Sequence, residues 1–234
     1  MASSSLLVGG VVALNLPLSR RIIGLVMAFG AGVLVSALAY ELFLEATETA
    51  ERSRFTAAGL FVGSVTFFVG DSLIDRMGGE GRKSMKGTQV GGVALAIVLG
   101  IVLDGIPESA VVGVDLRAGE GVGWAFVAAV FLSNLPEAAA ASTGPAASGW
   151  RTRRIYVLWI GVALVSGLAA VLGWAVVGGA GPDAIAFILA FAAGAILTML
   201  ADTMFPEALE QGGKSAGLLT TLGFAVAFTI SSFE

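Results

Sequence analysis

Long apolar stretches alternate with short polar interruptions from one end of the chain to the other. A bilayer core takes roughly 20 mainly apolar residues per helix. Apolar runs bounded by charged or Gly/Pro punctuation predict eight such spans, at approximately 2–19, 22–46, 55–75, 90–115, 121–146, 154–178, 184–208 and 214–233. Asn15 and Pro17 weaken the end of the first. The expected fold is all-α: a polytopic transmembrane bundle of eight helices forming one domain over 1–234, with a Gly- and Lys-rich, mobile connection at about 76–89.

Two of the spans repeat each other. AFGAGVLVSALAYELFLEA (28–46) and AFAAGAILTMLADTMFPEA (190–208) are identical at nine of nineteen positions, including Phe29, Gly32, Phe43, Glu45 and Ala46. They are the second and seventh spans, five crossings apart, so they point in opposite directions across the membrane. Inverted repeats organise many secondary transporters and place the substrate near the midplane where the halves meet. Segments 1–3 then pair with 6–8, around central helices 4 and 5.

Composition agrees with lipid as the solvent: 56% of residues are hydrophobic, 13% are charged, and the mean hydropathy is +0.91. The absence of cysteine excludes disulfides and thiolate chemistry, and the absence of histidine removes the usual general base and commonest transition-metal ligand. Ten of the thirteen basic residues fall in alternate connections: Arg20, Arg21, Arg76, Arg82, Lys83, Lys86, Arg151, Arg153, Arg154 and Lys214. That asymmetry puts those connections in the cytoplasm and both termini outside, in a multi-pass protein of the cell membrane. No basic face for nucleic acid and no positively charged leader of a cleavable signal peptide is evident.

The chemistry lies in segments four and five. Segment four contains Asp104-Gly105-Ile106-Pro107-Glu108, and segment five contains Ser133-Asn134-Leu135-Pro136-Glu137. In both, an oxygen-bearing residue stands three before a proline and a glutamate one after it. The i,i+4 spacing sets the outer pair on one helix face. Neither proline can donate a backbone hydrogen bond, so the carbonyls of Leu103 and Leu132 lose their helical donors. At mid-membrane this is tolerated only facing protein or a water-filled path. A charge at the bilayer centre costs roughly 2.5–3.5 kcal/mol, and neither span holds a Lys or Arg to offset the acids. Asp104, Glu108 and Glu137 are therefore either protonated, as structural hydrogen-bonding groups, or neutralised by a cation that comes and goes. The duplicated frames favour the cation. Asp71, Asp75, Asp202 and Glu207 fall near the cytoplasmic ends, and Glu41, Glu45 and Asp115 near the outer ends. Solvation at the interface accounts for these, with lining of the cation's path as the alternative.

An intramembrane hydrolase is disfavoured: a serine–histidine site is impossible here, and Asp71 follows Phe68-Val69-Gly70 rather than the Gly-x-Gly of intramembrane aspartyl proteases. Enzyme activity is not expected.

The two proline frames resemble the metal-binding frames of the ZIP family of divalent metal transporters, whose fourth helix typically reads His-Asn-x-Pro-Glu-Gly. The eight spans, the outward termini and the second-span frame ending in Glu-Ala resemble that family as well. The resemblance implies a site in which Asp104 stands at the histidine position, Glu108 and Glu137 match the glutamates, and Ser133 and Asn134 fill the polar positions of segment five. Glu41 aligns with a second-helix histidine, Gly105 replaces the asparagine, and Ala138 stands where some members carry an acid. Segment six has no acid, so a second metal lacks a full ligand set. The implied function is uptake of a divalent metal ion toward the cytoplasm, often by a homodimer, with the metal as substrate and no cofactor. An oxygen-only ligand set leans toward Mn²⁺ or another harder ion, whereas the resemblance leans toward zinc or a related transition metal. A transport-inactive sensor or scaffold of the same fold is the competing reading.

Overall fold

The computed structural model describes residues 4–16, 19–79, 93–118, 124–147 and 149–233. The predicted connection at 76–89 lies mostly outside them. The described residues form eight helical segments and no strand: α1 (Ser4–Asn15), α2 (Arg20–Thr49), α3 (Ser53–Met77), α4 (Val93–Ala118), α5 (Trp124–Ala147), α6 (Thr152–Val177), α7 (Pro182–Gly212) and α8 (Ser215–Ser231). Each corresponds to one predicted span. Among the described residues α2, α3, α6 and α7 are long and apolar enough to cross a membrane; the chain is a helical membrane protein.

Local chemistry explains the helix ends. Ser19 caps α2, its hydroxyl oxygen accepting the Ile22 N–H at 3.3 Å. Pro182 begins α7, where no N–H is needed. Gly213, at φ +65°, ends α7 in a conformation that L side chains rarely adopt. The first element ends at Asn15, before the end of its predicted span. Asn15 turns its amide back onto the Val11 carbonyl at 2.8 Å, and α1 has 12 residues.

Helices α2 and α7 each pass through a π-helical stretch, Leu38–Phe43 and Leu200–Met204. Both stretches begin at the same position of the duplicated segment. A π turn adds a residue to a helical turn and rotates the remainder of the helix about its axis, so Glu41 in one helix and Asp202 in the other sit on locally widened backbone.

Glycine decides which helices touch. A Cβ on Gly32 of α2 would collide with the Thr220 carbonyl oxygen of α8, and one on Gly223 of α8 with that of Phe29. Gly194 of α7 meets the Leu60 carbonyl of α3 in the same way, and Gly63 of α3 meets Phe191. Gly32 and Gly194 are equivalent positions of the duplicated segment. A second set joins α4 to α6, through Gly113 against Ala170 and Gly173 against Ala110, and α1 to α5 through Gly9 against Leu135. Small residues let backbones approach where lipid supplies no hydrophobic drive between helices.

The largest apolar core is built chiefly from α2 and α7, with Phe67, Val111 and Phe126 reaching in from α3, α4 and α5. Helices α3, α6 and α8 turn large apolar side chains outward: Phe61, Leu164 and Leu218 are 71%, 65% and 74% exposed. In a membrane protein that surface meets acyl chains. Helix α5 packs on α1 and α2, and α4 on α6 and α7, while α4 and α5 touch each other only narrowly.

Candidate functional site

Pro107 lies inside α4, and Pro136 falls within the span of α5. Each leaves a carbonyl one turn back without its usual donor. In α5 that carbonyl belongs to Leu132, and its oxygen is 3.1 Å from where a Cβ of Gly30 would stand. The freed group thus faces α2 rather than lipid, and Gly30 lets it do so.

All five predicted residues of the two frames are buried. Asp104 and Glu108 are 2% exposed, Glu137 3%, Ser133 1% and Asn134 6%. The two helices are joined here: the Asn134 Nδ2 donates to Glu108 Oε2 at 3.3 Å. Ser133 donates to the Val130 carbonyl of its own helix at 3.0 Å, which leaves its oxygen lone pairs facing away from that bond. The arrangement offers carboxylate, amide and hydroxyl oxygens from two helices and no nitrogen base, a donor set for hard or borderline cations.

The sixth predicted residue stands elsewhere. Glu41 lies on the π stretch of α2, half-buried, with an Oε1 that accepts no hydrogen bond. It lies with Glu45 within electrostatic reach of Asp115 on α4. At the other end, Asp202 of α7 feels the charge of Asp71 on α3. The acids thus fall into a set toward one end of the bundle and a pair toward the other. Among the described residues no three acidic side chains are grouped closely enough to hold one ion as they stand. The Asn134 amide engages a Glu108 oxygen, so an ion would have to take its place.

One neighbour was invisible to sequence reasoning. Ser166 of α6, 4% exposed, puts its hydroxyl 3.3 Å from the place a Cβ on Gly105 would occupy. The signal available was Gly105 itself, the position in its frame without a side chain.

Comparison with protein-family models gives no match. The chain is similar to the zinc transporter ZupT of Enterobacter sp. (strain 638), with 27% identity over 202 residues, covering 82% of this chain and 77% of that protein.

Proposed function

We propose that the protein is a ZIP-type carrier that moves a divalent metal ion across the cell membrane toward the cytoplasm. One observation carries the reading most: two proline–glutamate frames are buried on separate helices and bridged by the Asn134–Glu108 hydrogen bond. The similarity to a zinc transporter over most of the chain supports the same class. A transporter rather than an enzyme also fits a chain with no histidine and no cysteine.

In this reading Asp104, Glu108, Ser133, Asn134 and Glu137 supply the transient ligands. An incoming dication displaces the Asn134 amide proton from Glu108, and the amide can then turn its carbonyl oxygen to the metal. Three carboxylates around one dication keep the site net negative, which repels anions. The outer acids Glu41, Glu45 and Asp115 gather the ion, and Asp71 with Asp202 receives it. The duplicated segments are inverted equivalents. In support, the exchange of α1 with α6, α2 with α7, α3 with α8 and α4 with α5 turns each of the main packing pairs into another such pair. Transport then switches the narrow α4–α5 junction between exposure to the two sides.

Purified protein in liposomes loaded with a metal-sensitive dye tests the proposal. Entry of Zn²⁺, Mn²⁺ or Fe²⁺ above that of protein-free liposomes is expected. Metal binding without flux would favour a sensor of the same fold.

A further inference from the structure

Gly105 interrupts the polar frame of α4 at the turn that carries Asp104 and Glu108. The space beside it is filled from the neighbouring helix by Ser166, whose Oγ is 3.3 Å from the missing Cβ. That separation is tighter than ordinary van der Waals contact, so a side chain at 105 and the hydroxyl at 166 compete for one place. Residues three apart on a helix have Cβ atoms about 5–6 Å from each other, so the Glu108 side chain stems from the adjoining surface of α4.

Ser166, like Ser36 and Ser109, differs from several buried or part-buried hydroxyls in these helices, and of the three it is the one beside Gly105. Ser133, Thr198, Thr203 and Thr220 each donate to a carbonyl of the preceding turn. Among the described residues Ser166 makes no such bond, and its hydroxyl proton remains uncommitted. Its neighbours on α6 do not share its setting: Leu164, Val165 and Leu168 face outward. A buried hydroxyl of this kind gains most from an acceptor with charge.

We infer that Ser166 is a positioning and specificity-determining residue for the metal site. As the ion enters, the uncommitted Ser166 hydroxyl turns through the gap at Gly105, donates to the carboxylate face of α4 and orients Glu108 toward α5. The inference rests on the transport reading above.

The test is metal uptake by liposomes carrying wild-type protein or one of four variants: Ser166→Ala, Ser166→Thr, Gly105→Ser, and the double exchange Gly105→Ser with Ser166→Gly. Absence of flux from the wild type would sink the transport reading itself. Given wild-type flux, Ser166→Ala should raise KM about ten-fold, the effect of losing one hydrogen bond to a charged group, with kcat little changed. Ser166→Thr, which keeps the hydroxyl, should stay close to wild type. Gly105→Ser alone should crowd the site and lose flux. The double exchange moves the hydroxyl to the α4 side of the same gap and should recover most of the wild-type KM. A wild-type KM in Ser166→Ala, or a double exchange no better than Gly105→Ser, would show Ser166 to be packing only. Elution of each variant as a monodisperse peak in detergent separates loss of function from loss of fold.

Discussion

Asp104, Glu108 and Glu137 are each at least 97% buried in helices without a basic residue nearby in sequence. Replacing a glutamate by glutamine keeps shape and removes charge. Glu108→Gln and Glu137→Gln should each lower metal-dependent flux at least about ten-fold, because a dication loses a charged ligand, while the protein still inserts and folds. Glu207→Gln, at a partly exposed position on α7 outside the two proline frames of α4 and α5, should change flux less than about two-fold. Asp104→His adds a nitrogen donor, and competition uptake should then shift from manganese toward zinc. An unchanged preference, with normal flux in both glutamine variants, would make these acids structural. The burial of Asp104, Glu108 and Glu137 was legible because charge is rare enough in apolar helices to stand out, and Ser133 and Asn134 were marked by their places in the proline frame. Ser166 was not, since one serine in an apolar helix carries no spacing pattern; only the geometry opposite Gly105 distinguishes it.

Hydropathy located all eight helices because the desolvation of backbone and charge is a property of each segment alone. It missed the π stretches at Leu38–Phe43 and Leu200–Met204, since one inserted residue leaves the hydropathy of a window nearly unchanged. It also gave no partner for any helix, and here the glycines decide. Gly32→Val and Gly194→Val each force a side chain into an opposing carbonyl. Each should cost about 1–3 kcal/mol or more by overpacking, visible as a lower thermal midpoint in detergent. Gly161→Ala on α6 meets nothing within 4 Å. It should be neutral or stabilise by up to about 1 kcal/mol, through helix propensity alone. Equal losses in all three variants would mean that seam packing is not what these glycines supply.

Across the whole molecule, the expected orientation rests on ten basic residues against three. Gly79→Cys should therefore react with an impermeant thiol reagent in inside-out vesicles and stay unlabelled on intact cells. Labelling on intact cells would reverse the topology. The proposed inverted repeat has its own check. In an experimental structure, 28–46 and 190–208 should superpose by a two-fold axis in the membrane plane, and parallel segments would end the idea. The similarity of the two segments was readable because Phe29, Gly32 and Phe43 recur as Phe191, Gly194 and Phe205. The pairing of α3 with α7 and of α8 with α2 was not, because contact between distant segments depends on shape in three dimensions.

The seams at Gly32 and Gly194 behave differently on warming from the rest of the bundle. Holding an ordered side chain costs free energy in proportion to temperature, because its rotamers are frozen. Where peptide meets peptide there are no rotamers to freeze. Heat should therefore loosen the side-chain-filled junctions first, leaving the glycine-seamed pairs, α2 with α8, α7 with α3 and α4 with α6, as the last to part.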